Sequence, residues 1–293
     1  MRPYRVHQEG DPARLPAWFT VSLTKTARSA VVRRLVQDHK LHTVCQSAAC
    51  PNQAECWNSG TATFMILGDI CTRGCRFCNV KKGTPVGLDV HEPARVAKAV
   101  SGLRLNYAVI TSVTRDDLPD GGADLFAGTI TAVRAERPAC RVEVLVPDFK
   151  GSASSLEIVL AAGPDILNHN IETVPSLYAR VRPQAEYQRS LDLLGRAHAQ
   201  GAATKSGIML GLGERDDEVL RVMHDLRNAG CAILTLGQYL RPGRSHLPVS
   251  KYYHPDEFAV FRDQGLRLGF TQVVSGPRVR SSYQAGLHHG VRP

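Results

Sequence analysis

Two cysteine triplets lie within a stretch of thirty-four residues and use six of the chain's eight cysteines. Cys45, Cys50 and Cys56 follow C-x4-C-x5-C, and Cys71, Cys75 and Cys78 follow C-x3-C-x2-C. A zinc site or an ordinary iron-sulfur cluster takes four ligands, so each triplet is one short and points to a metal centre with a position left for something else. Around the second triplet, Gly74 and small or polar neighbours let the backbone wrap closely about a bound group. Three thiolates there suit a four-iron, four-sulfur cluster with one iron free. The competing reading is a zinc knuckle, but the nearest histidine, His91, stands beyond a connection containing glycine and proline.

The elements that must position these cysteines follow from the pattern downstream. From about Thr61, short β-branched apolar runs alternate with amphipathic stretches, and strands are expected at 61–67, 107–113, 141–146, 165–169, 203–210 and 232–236. The clearest helix runs from Glu214 to Ala229, where Val219, Val222, Met223 and Leu226 share one face and Gly230 supplies the stop. Such alternation predicts a parallel sheet covered by helices, an α/β fold. Polar, glycine-rich segments follow the strands, and in a β/α barrel these loops share the rim where active sites are built. Six strands rather than eight predict a partial (β/α)6 TIM-type barrel, open enough to admit a large substrate. The expected organisation is an N-terminal extension over 1–60, the barrel over 61–275 and a C-terminal tail over 276–293.

A chain of 293 residues buries a substantial core without disulfides, and clustered thiols indicate a reducing compartment. The opening segment MRPYRVHQEGDPARLPAW has no apolar core of a leader, and no run approaches the roughly 18 to 20 apolar residues of a membrane span. A cytoplasmic protein is the expectation. The formal charge of +9 is dispersed in pairs such as Arg33-Arg34 and Lys81-Lys82, a weak signal for nucleic acid. It would equally steer an acidic protein or an anionic small molecule.

The C-x3-C-x2-C triplet after the first barrel strand resembles the radical S-adenosylmethionine superfamily, and the C-x4-C-x5-C triplet just upstream is similar to the lipoyl synthase family. Four further blocks agree: SVTRDDLPDGGA at 112–123, NHNIETV at 168–174, TKSGIMLGLGE at 204–214 and SGPRVRSSYQAG at 275–286. The resemblance runs from about Trp18 to Gly286. It implies two [4Fe-4S] clusters: one on Cys71, Cys75 and Cys78 that binds S-adenosyl-L-methionine, and an auxiliary one on Cys45, Cys50 and Cys56 with Ser282 on its fourth iron. The implied activity is sulfurtransfer, the insertion of two sulfur atoms from the auxiliary cluster into an octanoyl-lysine. The implied partners are an octanoylated lipoyl carrier protein or lipoyl domain and a reductant of the flavodoxin or ferredoxin kind, with no nucleic acid, no membrane and a monomeric enzyme. Where the family commonly has proline and aspartate after the second and third radical-motif cysteines, this chain has Arg76 and Asn79.

Other residues have a structural reading beside the functional one. Asp117, with Asp116, Gly121 and Gly122, suits S-adenosylmethionine or an ordinary turn. Asn168, Asn170 and Glu172 end the fourth strand, where rim contacts compete with capping. Lys205 either points into the barrel toward a carboxylate or is solvated. Cys140 and Cys231 read as small buried hydrophobes, and His288 and His289 as a tail. A radical enzyme acting on RNA should carry a basic, aromatic-rich face, yet aromatics are 6% of residues. A metal-stabilised binding protein should show closed four-ligand sites, and neither triplet has a fourth cysteine nearby.

Overall fold

The structure is a computed structural model that describes residues 15–19, 27–48, 50–58, 62–283 and 285–288. The opening segment 1–14, the first expected strand residue Thr61, the boundary residue Gly60 and His289 lie outside the described residues.

The main sheet has eight strands among the described residues. In chain order the strands are β1 (His42–Thr43), β2 (Thr63–Ile66), β3 (Ile70–Cys71), β4 (Lys81–Lys82), β5 (Tyr107–Ser112), β6 (Arg141–Leu145), β7 (Ile166–Asn168), β8 (Thr204–Leu210), β9 (Ile233–Gln238) and β10 (Gln272–Gly276). β3 and β4 form a separate parallel pair, and the rest follow the order β1-β2-β5-β6-β7-β8-β9-β10. From β2 to β10 every neighbouring pair is parallel, while β1 is antiparallel to β2. Helices Glu92–Gly102, Ala123–Glu136, Ala153–Ala161, Tyr187–Ala199, Asp216–Asn228 and Pro255–Arg267 fill the connections. The result is six β/α units in an open, partial barrel, as the pattern predicts.

Two strands depart from that expectation. β10 adds a seventh parallel strand, and its burial explains why the pattern misses it: only Val273 of its five residues is buried, so an edge strand lacks the continuous apolar run of a central one. β1 is two residues long and arises from the N-terminal extension, which therefore joins the sheet.

The helix at Asp216–Asn228 shows how local sequence fixes these elements. Val219, Val222, Met223 and Leu226 are all buried, as their spacing requires. Asp216, Asp217 and Glu218 sit in its first turn, where negative charge suits the helix dipole, and Glu218 accepts a hydrogen bond from the Arg215 amide at 3.0 Å. Gly230 then takes φ +79°, a left-handed exit open to glycine. No helix among the described residues is long and apolar enough to cross a membrane.

Candidate functional site

The loop after β2 carries Cys71, Cys75 and Cys78 and is fastened at nearly every residue. Thr72 donates its amide to the Thr114 carbonyl at 3.0 Å, and the Arg76 amide donates to the Val181 carbonyl at 2.9 Å. Gly74 donates to the Gln184 side chain, and a His246 ring nitrogen lies 3.2 Å from the Cys78 carbonyl. These partners come from the connections after β5, β7 and β9, so the loops after the strands do converge on one rim.

Between the first two of these cysteines, Arg73 is buried and makes paired contacts with two carboxylates. It reaches Asp116 at 2.7 and 2.8 Å and Asp148 at 2.6 and 2.9 Å. Burial alone would disfavour both charges; the hydrogen bonds and charge of Arg73 more than offset it at Asp148, which is held down to about 2. The guanidinium likewise stays charged. This clamp ties the cysteine loop to the ends of β5 and β6.

The donor set fits a cluster. The Cys71 sulfur accepts amide N–H groups from Arg73 and Thr114, each at 3.4 Å. Burial pushes the Cys75 thiol up and the Cys78 thiol up to about 12, so thiolates there need a bound cation to offset desolvation, and iron supplies one. The three sulfurs feel one another electrostatically, and Cys75 also feels the buried Arg182 and Glu172. Among the described residues, no group of three or more His, Cys, Asp or Glu side chains is arranged to hold a single metal ion.

The upstream triplet sits on different ground. Cys45 lies in the helical turn Val44–Ser47, whose start is capped by Thr43, and Cys56 in the short helix Gln53–Asn58, with Cys50 between them. Thr63, the first residue of β2, gives its hydroxyl to Ser282 Oγ at 2.9 Å, and its backbone N–H works against the burial of Cys45 by favouring the charged form. The buried Trp57 Nε1 has no partner of ordinary hydrogen-bond geometry and faces the Cys45 sulfur, the orientation an indole N–H takes toward a thiolate. Burial raises the Cys45 pKa. At about 3.3 Å per residue β2 spans about 10 Å, leading from Thr63 to the loop with Cys71.

The tail reaches this triplet from the far end of the chain. The Arg278 carbonyl accepts from Asn52 Nδ2 at 2.6 Å, and its guanidinium meets Glu55 at 3.2 Å. The Tyr283 hydroxyl donates to Glu55 at 2.6 Å. Electrostatics also couple Cys50 to Arg280 and Cys56 to Tyr283. Gly237, on β9, admits the Val279 carbonyl so closely that any Cβ there would collide with it. The neighbouring Ser281 points the other way, into the barrel, and accepts from Asn170 Nδ2 at 3.2 Å.

The remaining expected residues are placed as follows. Asp117 pairs with Arg115 at 2.8 Å on the rim, and Asp116 is taken up by Arg73. Gly121 and Gly122 take φ +63° and +90°, and a side chain at 122 would strike Leu67, so they serve the turn. Glu172 lies near Cys75 and Cys78, its carboxyl raised by burial, and adopts φ +68°. Asn168 faces inward and donates to Glu143 at 2.9 Å. Lys205 is buried, and the carboxylate it meets belongs to the protein: Glu143, at 2.9 and 3.1 Å, which also accepts from Tyr107 at 2.6 Å. Cys140 and Cys231 are buried, as expected. His288 ends the short helix Ala285–His288.

Arg76 is exposed, and its backbone does the anchoring, so its departure from the family's proline leaves the loop held. Asn79 donates Nδ2 to the Ser47 carbonyl at 3.1 Å and so links the two cysteine segments, a contact an aspartate could not make. Arg73, Asp148, Arg182, Glu143, Thr63, Asn52 and Glu55 join these sites without being marked by motif spacing in the sequence. Arg73 and Glu55 carried one signal, a charge inside a metal motif.

The Radical SAM superfamily model matches residues 65–226. The chain is 54% identical over 278 residues to the lipoyl synthase of Roseiflexus sp. (strain RS-1), covering 94% of this chain and 92% of that protein. It is 54% identical over 272 residues to the lipoyl synthase of Rubrobacter xylanophilus, covering 92% and 85%. Among solved structures, methylornithine synthase superposes with a TM-score of 0.56 at 14% identity over 89% of this chain and 85% of that one. Streptococcus suis SuiB bound to its precursor peptide superposes with a TM-score of 0.56 at 12% identity, over 77% and 52%. At such identities the two structures speak for the fold alone.

Proposed function

The chain belongs to the lipoyl synthase family of the radical S-adenosylmethionine superfamily, and from that premise we propose that it inserts two sulfur atoms, at C6 and C8, into an octanoyl chain held in amide linkage on a lysine of a lipoyl carrier domain. Two S-adenosylmethionine molecules are consumed per lipoyl group, one for each hydrogen removed.

A [4Fe-4S] cluster held by Cys71, Cys75 and Cys78 together with S-adenosylmethionine supplies hydrogen abstraction from an unactivated carbon, which no side-chain acid or base achieves. The residues around it supply position. Arg73 fixes the loop against Asp116 and Asp148, and the rim residues Asp117 and Glu172 are assigned to S-adenosylmethionine. Asn168, tied to Glu143 inside the barrel, shapes the floor beneath it.

The sulfur-donating substrate is an auxiliary [4Fe-4S] cluster on Cys45, Cys50, Cys56 and Ser282. The observation that carries this reading is the hydrogen bond from the Thr63 hydroxyl to Ser282 Oγ at 2.9 Å, which brings the tail serine to the strand end beside Cys45. A hydroxyl donating to Ser282 Oγ favours the deprotonated oxygen that a metal ligand requires. A hard oxygen on iron is a weaker match than thiolate, which suits a corner that must release its iron when sulfur leaves.

The partners follow from this reading: an octanoylated carrier, toward which the net positive charge assists docking if the carrier is acidic, and a flavodoxin- or ferredoxin-type reductant. Anaerobic protein given reductant, S-adenosylmethionine and octanoylated carrier should yield 5'-deoxyadenosine and a lipoylated carrier by mass spectrometry. Formation of 5'-deoxyadenosine with the carrier left unthiolated, or thiolation of RNA instead, would refute the assignment.

A further inference from the structure

Ser282 sits on a tail that must be brought to the cysteines from more than two hundred residues away, and one carboxylate holds that tail on both sides of the serine. Glu55 Oε1 accepts from the Tyr283 hydroxyl at 2.6 Å, one residue after Ser282, and Glu55 Oε2 meets the Arg278 guanidinium at 3.2 Å, four residues before it. Asn52, on the same short segment, takes the Arg278 carbonyl at 2.6 Å and is buried. Glu55 and Asn52 lie between Cys50 and Cys56, so the segment that carries two of the cysteines also grips the tail.

We propose that Glu55 is a positioning residue for sulfur insertion: its carboxylate latches Arg278 and Tyr283 so that Ser282 is held within reach of the cysteine-bound cluster. This rests on the reading of Ser282 as an iron ligand. The physical case is that a single serine oxygen is a poor tether for a chain end. An oxygen bound to iron lacks the strength of a thiolate at a soft metal, and the tail's own ordering entropy works against it. The geometric work is then done by charge-assisted hydrogen bonds, which are shorter and stronger than neutral ones. Glu55 supplies two of them from a single side chain, and the two anchor points flank the serine, which restricts its rotation as well as its distance. Thr63 completes the placement by donating to Ser282 itself.

The latch also explains the spacing of the motif. Glu55 immediately precedes Cys56 on the helix Gln53–Asn58, and the Tyr283 phenol is close enough to Cys56 to feel its charge. Moving the carboxylate along this helix by one residue would turn it about 100° away from the tail.

The test uses the anaerobic, fully loaded full-length protein in four forms: wild type, Glu55→Ala, Glu55→Gln and Ser282→Ala. Three quantities are read: hydrogen exchange of segment 277–283, the Mössbauer signature of the unique iron of the auxiliary cluster, and the single-turnover yields of 5'-deoxyadenosine and thiolated octanoyl product. Glu55→Ala should raise exchange of the segment by about tenfold, the scale of losing hydrogen bonds to a charged group. It should also shift the unique iron toward the Ser282→Ala signature and cut doubly thiolated product by a similar factor. Formation of 5'-deoxyadenosine should be unaffected. Glu55→Gln, which keeps an acceptor for Tyr283 but loses the ion pair, should fall between and guards against a folding defect in the alanine variant. If Glu55→Ala leaves the iron signature at the wild-type value while Ser282→Ala changes it, the latch is overturned and the serine reading stands. If Ser282→Ala itself leaves the signature unchanged, it is the serine reading that fails.

Discussion

Cys71, Cys75 and Cys78 belong to the barrel, whereas Cys45, Cys50 and Cys56 belong to an assembly of chain ends. The first set rides on a loop clamped by its neighbours on the rim, through Arg73 and two carboxylates and through backbone contacts to Thr114 and Val181. The second set sits on two short helices and the link between them, and is completed by contacts 219 to 228 residues away in sequence: Thr63 to Ser282, Asn52 to Arg278 and Glu55 to Tyr283. A site built into parallel β/α units is as rigid as the fold. One closed by a tail depends on contacts between residues far apart in the chain.

That contrast is broken most severely by removing the tail. β10 ends at Gly276, so a chain truncated after that residue keeps all seven parallel strands and loses Arg278, Ser282 and Tyr283. Such a protein should hold about half the iron, the share of one of two equal clusters, and cleave S-adenosylmethionine while making no thiolated product. Iron analysis and product mass spectrometry check this, and loss of both clusters with unfolding would show the tail to be part of the barrel.

Arg73→Met attacks the other side of the comparison. It leaves Asp148 and Asp116 without their main partner in a buried setting, and breaking a buried pair in this way costs about 3–5 kcal/mol. Denaturant unfolding of the variant should show that loss, and the cluster loop after β2 should lose iron before the upstream triplet does. A variant as stable as the wild type would mean the clamp is better solvated than its burial implies.

Much of this was legible in the sequence because it is local. The six β/α units follow from the alternation of β-branched runs with helical faces, and the two triplets from cysteine spacing alone. The seventh parallel strand was not, because an edge strand such as Gln272–Gly276 buries one face in part and leaves no continuous apolar run. Nor were the partners of the charged residues. Lys205 does point into the barrel toward a carboxylate, but that the carboxylate is Glu143, two strand pairings away on β6, could not be read from the sequence. Arg73 and Glu55 stood in plain view within the motifs, yet their roles depend on Asp148 and Tyr283, which only the folded chain brings near.

The smallest effect concerns the identity of one ligand. Ser282→Cys replaces a hard oxygen by a soft thiolate, which binds iron well, so the auxiliary cluster should assemble fully. Sulfur insertion should nonetheless slow markedly, because the corner no longer releases its iron. Iron and sulfide content alongside yields of mono- and dithiolated octanoyl product measure both, and wild-type yields of doubly thiolated product would remove lability as the reason for serine.

The central claim is that radical generation and sulfur donation reside in separate triplets, and anaerobic single-turnover assays of Cys75→Ala and Cys50→Ala test it directly, with 5'-deoxyadenosine and thiolated octanoyl carrier quantified in the same reaction. The account predicts that Cys75→Ala forms neither product, and that Cys50→Ala forms 5'-deoxyadenosine without any thiolated carrier. Thiolated carrier at the wild-type yield from Cys50→Ala would contradict it.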